Sequence, residues 1–472
     1  MVFSSMLFLW IFLPLVLAAY YISPGKIRNG ILVFFSLLFY AWGEPLYVFL
    51  MLFSVAVNFT GGILIEKYQT RKKKILVATL IINLGLLGYF KYFGTLTEAI
   101  TGLFSADGTG TTLFQVALPI GISFYTFQAL SYVIDVYRGE VPAQHNFWHM
   151  LLYISFFPQL IAGPIVKYRD IAAQITGRKE TIRKFAAGIM RFCWGLGKKV
   201  LLANSFARVV DEIFKYGPYA VSRKALWLGA ILYMMQIYYD FSGYSDMAIG
   251  LGKMFGFEFQ ENFNYPYTAG SVQEFWHRWH ISLSTWFKEY VYIPLGGNRK
   301  GLPRQLFNIL VVWMLTGIWH GAGWNFLFWG LWFAFFLILE KLFLGDILES
   351  VPKVFGRIYT LAVVLISWVF FALESPGEIL AYLQAMFGMN RIGPVNSLAM
   401  FLCNEYLVLL VIALVACLPL GSRLVHALKS SKTGPAMALY RLGEKVIPAV
   451  LLLLSVAYIV DASYNPFLYF RF

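Results

Sequence analysis

Charge is scarce in this chain: Asp, Glu, Lys and Arg make up 13% of its 472 residues, while 59% are hydrophobic. A soluble domain carries about 25% charged residues, so a water-surrounded globule is excluded and a polytopic membrane protein is expected. Cysteine is scarcer still. Cys193, Cys403 and Cys417 lie in or beside apolar segments without CxxC or Cys/His spacing, which predicts neither disulfides nor a zinc site. The first apolar run, residues 7–21, lacks a basic start and an Ala-x-Ala cleavage site, so it reads as a retained helix rather than a signal peptide. No Gly-x-Ser-x-Gly elbow accompanies the histidines, which argues against a serine-nucleophile triad. No internal repeat of the kind that builds many transporters is visible. No basic domain stands apart from the apolar segments, so nucleic acid is not an expected partner.

What is present is hydrophobic length. Runs at 7–21, 46–65, 75–90 and 446–460 are almost uncharged, close to the roughly 20 residues that span a bilayer. The net charge of +14 is unevenly spread, with thirteen Lys/Arg against four Asp/Glu in residues 167–224. Basic loops stay in the cytoplasm. The same surface would suit anionic lipids or a phosphate-bearing ligand, although a topology signal alone also accounts for it. Lys26 and Arg28 place the N-terminus outside, and Arg71, Lys72, Lys73 and Lys74 lie inside again after the break at Gly43-Glu44-Pro45. Residues 75–90 then lead out to a polar loop at 95–112, and 118–137 return to Arg138. The run 147–166 breaks this alternation: Arg138 before it and Lys167 and Arg169 after it demand the same side, and Pro158 and Pro164 interrupt it. A re-entrant element, tolerated at membrane depth only where protein or water surrounds it, satisfies both facts. With the later apolar runs, about eleven spans with re-entrant pieces are expected, forming a single integral-membrane domain over residues 1–472.

Six histidines are candidates for chemistry, and His320 is the foremost. It lies in an otherwise apolar or aromatic stretch, 307–339, within Trp319-His320-Gly321. An ionisable group at that depth is costly and usually faces a bundle interior or a watery cavity. Histidine also exchanges a proton near neutral pH. The alternative is a core histidine with its hydrogen bonds satisfied. Gly317, Gly321 and Gly323 around it allow close backbone approach. A second cluster is Glu274-Phe-Trp-His277-Arg-Trp-His280, whose spacing of three puts Glu274, His277 and His280 on one helical face. A metal half-site would need further such clusters, so no metal is expected. For His277 the favoured reading is an interfacial aromatic belt of Trp276, Trp279 and Trp286 with Arg278 and Lys288 as snorkelling cations; for His280 a place in a cavity is open. Asp240 and Asp246 put two carboxylates beside glycine and hydroxyl residues. The turn Pro294-Leu-Gly-Gly-Asn-Arg299-Lys300 could offer N–H groups and cations to a phosphate, although an ordinary cytoplasmic turn has the same composition.

Several segments, taken together, are specific. They include Tyr40-Ala-Trp-Gly-Glu-Pro45, Leu118-Pro-Ile-Gly-Ile-Ser-Phe-Tyr-Thr-Phe-Gln128, Phe157-Pro-Gln-Leu-Ile-Ala-Gly-Pro164, Phe275-Trp-His-Arg-Trp-His280, Trp319-His-Gly321 and the tail Asn465-Pro-Phe-Leu-Tyr-Phe-Arg-Phe472. Across its whole length the chain resembles the membrane-bound O-acyltransferase superfamily, in its alginate O-acetylation branch. The resemblance implies an all-α helical bundle around a central funnel or tunnel, with His320 as catalytic residue and His280 as a second site position. It implies a bacterial inner-membrane enzyme with no tightly bound cofactor. Acetyl-CoA would serve as cytoplasmic donor, and an extracytoplasmic SGNH-type acetyltransferase partner would pass the acyl group to a polysaccharide. The basic residues Lys198, Lys199, Arg299 and Lys300 are the candidates for holding the donor phosphates. The tail 465–472 fits a Phe-x-Tyr-x-x-Phe pattern found in a small partner peptide of the related D-alanylation system, which makes Tyr469 a candidate acyl relay; interfacial anchoring is the plainer role for such a tail. A D-alanyl transferase is the close alternative, and a flippase of lipid-linked sugars the alternative from another class.

Overall fold

The computed structural model describes residues 1–104, 117–218, 221–389, 396–431, 434–461 and Pro466. Every element among them is helical. The chain divides into two compact units, residues 1–189 with 248–260, and residues 190–247 with 261–472. Among the described residues, Tyr47–Lys67, Lys72–Gly102, Trp324–Ser350, Lys353–Ala372 and Gly434–Asp461 are long and apolar enough to cross a membrane. The bent pair Asn404–Ala416 and Leu420–Ser430 makes a sixth if it is one span. The sequence reading expects about eleven. The difference arises partly because long helices such as Arg223–Met254 carry polar side chains, here Gln236, Asp240, Ser242, Ser245 and Asp246, all buried. Protein, rather than lipid, surrounds that face.

In the first unit the helix Lys72–Phe104 continues ten residues into the stretch 95–112 that reads as a loop in sequence. Its hydroxyls explain how. Thr97 donates to the Gly94 carbonyl at 2.7 Å and Thr101 to the Thr97 carbonyl at 2.9 Å, so polar side chains are satisfied within the helix itself. The rest of that loop, from 105, lies outside the described residues. Further in, Asn58 and Asn83 exchange side-chain hydrogen bonds of 2.9 and 3.1 Å between two neighbouring apolar helices, a polar clasp of the kind that joins helices in lipid.

The expected interruption at 147–166 is present. A helix Phe147–Ser155, capped by the Asn146 side chain, stops before the short turn Phe157–Leu160 with Pro158 in its first turn. Residues 150–168 are all buried. The broken backbone and its neighbours are satisfied by protein: the Phe157 N–H donates to Ser36 Oγ at 3.1 Å, and the Tyr153 hydroxyl lies 3.0 Å from both the Gln128 and Val166 carbonyls. Gly121, at φ +79°, lies so near this turn that a Cβ would come within 2.7 Å of the Leu160 carbonyl oxygen.

In the second unit the helices Leu302–His320 and Trp324–Leu339 fold back on one another across residues 321–323. Glycine permits this approach. A Cβ on Gly317 would enter the Phe326 backbone, and one on Gly330 would meet the Trp313 carbonyl and lie 3.2 Å from Gly317 Cα. The hairpin sets the last residue of its first helix, His320, against Trp329 of the second. Gly330→Leu is therefore expected to lower stability by about 1–3 kcal/mol, the cost of overpacking a filled contact. Thermal unfolding of the detergent-solubilised protein measures it, and an unchanged midpoint would show that the hairpin is not held by this contact.

Candidate active site

His320 is buried at the C-terminal end of the helix Leu302–His320. Its ring is boxed by Trp319, Trp329 and Phe371, with centroids 4.9, 4.8 and 5.3 Å away. His280 is also buried, but it does not sit on the helix that its spacing suggests. The sequence reading places Glu274, His277 and His280 on one face, and the structure corrects this: the helix Val272–Arg278 ends, and a second, Ile281–Phe287, begins immediately after His280. His280 itself takes the left-handed conformation, φ +43° and ψ 53°. For a residue with a Cβ this is strained by about 1–3 kcal/mol and persists only where the surroundings enforce it. Here two backbone bonds do so. The Ile281 N–H donates to the Asn262 carbonyl at 3.0 Å, and the Asn264 N–H to the Arg278 carbonyl at 2.9 Å, pinning the two segments side by side.

The kink separates the two histidines of the motif. His280 and His320 both line one small cavity, together with Asp240, Phe241, Trp276 and Trp368. The space open to the centre of a water molecule there is about 10 Å³, room for about one water. His277 instead lines a second cavity of about 260 Å³, walled by Trp276, Trp313, Leu283 and Thr316. Gln273, His277, Lys288 and Tyr292 of its wall also line a groove of about 740 Å³ where Arg299, Lys300 and Lys341 gather. Trp276 stands in the wall of both inner cavities. The turn carrying Arg299 and Lys300 is fixed from below: Asn308 donates to the Gly297 carbonyl at 2.9 Å and Arg304 to the Leu295 carbonyl at 3.0 Å. Gly296 and Gly297, at φ +112° and +57°, supply the backbone it needs.

Lys198 and Lys199, grouped with Arg299 and Lys300 in the sequence reading, are placed elsewhere. They open a π-helical turn, Lys198–Ala203, a distortion common at functional sites. Lys198 pairs with Asp246 at 2.7 Å, which Arg191 also grips at 2.6 Å. Lys199 pairs with Asp240 at 2.5 Å, both side chains only 3% exposed, and donates to the Pro466 carbonyl. Tyr469 lies outside the described residues. Glu274 is engaged by the Gly270 N–H at 2.7 Å and by Arg278 at 2.6 Å. Among the described residues no three His, Cys, Asp or Glu side chains converge as metal ligands do.

Three parts of this arrangement escape a reading of the sequence. Asp240 appears there as half of a carboxylate pair without a role, Lys288 as an interfacial cation, and Asn262 not at all. Asp240 could have been found as the one carboxylate in a long apolar window. Asn262 leaves no local signal.

Two buried histidines share one aromatic cavity in a helical chain that has several helices long and apolar enough to cross a membrane. A family model described as the membrane-bound O-acyltransferase family matches residues 140–376. A protein of Azotobacter vinelandii named "Probable alginate O-acetylase AlgI" is 36% identical over the full length of both chains. A "Peptidoglycan O-acetyltransferase" of Helicobacter pylori is 33% identical, over 83% of this chain and 81% of that one. A "Teichoic acid D-alanyltransferase" of Bacillus subtilis is 27% identical, over 48% of this chain and 59% of its own. The chain belongs to the membrane-bound O-acyltransferase family, and it is a multi-pass membrane O-acyltransferase.

The Lys199–Asp240 pair offers a test of how the site is held. Removing one partner of a buried pair costs about 3–5 kcal/mol, whereas replacing both with apolar groups is often near neutral. Asp240→Leu should therefore destabilise strongly, and adding Lys199→Met should recover at least half of the loss in thermal unfolding. A double variant as unstable as the single one would show that the pair is not what matters there.

Proposed function

We propose that this chain moves an acetyl group from a thioester donor on the cytoplasmic side of a bacterial inner membrane toward an extracytoplasmic polysaccharide. The observation that carries the reading is a cationic groove sharing wall residues with an inner apolar cavity, which in turn shares Trp276 with the cavity of His280 and His320. The outer groove offers Lys288, Arg299, Lys300 and Lys341 to phosphates. The inner apolar cavity suits a thin pantetheine-like arm. The histidine cavity, with room for about one water, is where the carbonyl oxygen or the attacking oxygen would sit. Acetyl-CoA is a donor of this shape and charge. Acetyl rather than D-alanyl transfer is favoured because the alginate relative matches the whole chain, whereas the D-alanyl relative matches about half.

In the proposed reaction His320 takes the proton from an incoming hydroxyl, the oxygen attacks the thioester carbon, and the C–S bond breaks. The thiolate leaves and recovers the proton from the imidazolium. The hydroxyl is that of Tyr469. A phenol, with pKa near 10, is a better leaving group than an alkyl alcohol, so an aryl ester keeps the acetyl group transferable to a serine of an SGNH-type partner outside. Support comes from Pro466, three residues before Tyr469. Its carbonyl is held by Lys199, whose other partner, Asp240, lines the histidine cavity. Three residues of extended chain reach about 10 Å.

With purified protein and labelled acetyl-CoA, His320→Ala should cut acyl transfer by about 100-fold or more. Tyr469→Phe should abolish label on the C-terminal peptide in mass spectrometry. Label appearing only on another residue, or full transfer by the Phe variant, would remove the relay. Arg299→Gln combined with Lys300→Gln should raise the KM for donor about tenfold, about 1.4 kcal/mol, with kcat little changed. An unaltered KM would send the donor by another route.

A further inference from the structure

Two side chains lie against His280 Nδ1: Asn262, and Ser282, whose Oγ is 3.5 Å away and gives its proton to Asn262 Oδ1. Asn262 is buried, and its Oδ1 lies 3.1 Å from the Ser282 backbone nitrogen and 2.9 Å from Ser282 Oγ. A backbone N–H can only donate, so the atom facing it is the amide oxygen and not the amide nitrogen. Asn262 Nδ2 accordingly turns the other way and donates to Ser245 Oγ at 3.1 Å. The same Oδ1 lies 3.2 Å from His280 Nδ1. An amide oxygen offers no proton, so a hydrogen bond between these two atoms requires the proton on Nδ1. Neutral imidazole carries one proton, and the lone pair then belongs to Nε2.

We propose that Asn262 is a positioning residue that locks His280 in the Nδ1–H tautomer, so that His280 presents a lone pair to the cavity. His280 lines that cavity and turns Nδ1 to Asn262, so Nε2 is the nitrogen assigned to the ligand. His280 then accepts a hydrogen bond or a proton from a hydroxyl or thiol and cannot donate one to an oxyanion. The left-handed backbone at His280 has a use in this scheme: it turns Nδ1 toward Asn262 while the Ile281 and Asn264 N–H groups hold the segment. The other ionisable groups around the cavity are Asp240, paired with Lys199, and His320; the remaining lining is aromatic or aliphatic. What the lone pair acts on rests on the acyl-transfer reading above, but the tautomer does not.

The test uses the full-length protein in lipid vesicles, labelled with 15N-histidine, with the His280 signals assigned by their loss in His280→Gln. At pH 7 the wild type is expected to show a protonated Nδ1 and a bare Nε2. Asn262→Asp keeps the shape and can accept from the same three donors, but sets a negative charge against the ring. Both ring nitrogens should then be protonated at pH 7. Acyl transfer by this variant should fall about 100-fold at pH 7, the size of a lost general base, and recover as pH rises. A wild-type proton on Nε2, or a variant whose His280 stays neutral at pH 7, would overturn the proposal. If the aspartate variant does not fold, the wild-type spectrum decides by itself. A wild type with the expected tautomer but no acetyl transfer would sink the reaction and leave the tautomer standing.

Discussion

A polar group taken to membrane depth has no water to fall back on and costs several kcal/mol unless the protein itself meets it. That constraint shapes both units. In the first, Asn58 and Asn83 answer one another, and the proline-broken segment after Phe147 is buried, with the Phe157 N–H and the Tyr153 hydroxyl bonded to protein. In the second, Glu340 sits on a membrane helix yet accepts from the Val272 and Gln273 N–H groups at 2.6 and 2.9 Å, capping the short helix that leads to His280. Each of these polar residues also orders something else. The site follows the same rule at His280, whose Nδ1 meets Asn262, while His320 is boxed by aromatic rings.

The division of labour within the second unit follows from this. Charge is kept in two places. The groove around Arg299 and Lys300 is open, so its cations remain available to a ligand. Lys198, Lys199 and Arg191 lie deeper and are matched by Asp246, Asp240 and Glu261. A cation paired in this way has its charge matched by a carboxylate of the protein. The four basic residues grouped in the sequence therefore fall in two different surroundings in the fold.

What was legible in the sequence was what local pattern controls. A lone histidine in an apolar run marks itself, and Pro158 and Pro164 break a helix whatever surrounds them. The glycines flanking His320 announce a close approach, although only the structure shows that Gly330 on the next helix completes it. What was hidden depends on long-range contact. No glycine or proline signals the kink at His280, because hydrogen bonds from residues 262 to 264 enforce it. The periodicity of Glu274, His277 and His280 therefore pointed to one helical face where the chain makes two helices. Lys288 and Lys341 join Arg299 and Lys300 only through the fold, and the stretch 95–104 is helical because its threonines bond inward.

The central proposal is that a cationic groove and a cavity shared by two histidines serve one donor. A structure with a non-hydrolysable acetyl-CoA analogue tests it most directly. The account predicts the diphosphate beside Arg299 and Lys300, and the acyl carbon between His280 and His320, near enough for an attacking oxygen held at about 3–3.5 Å. An analogue whose acyl end lies away from both histidines, or whose phosphates leave Arg299 and Lys300 bare, would contradict it.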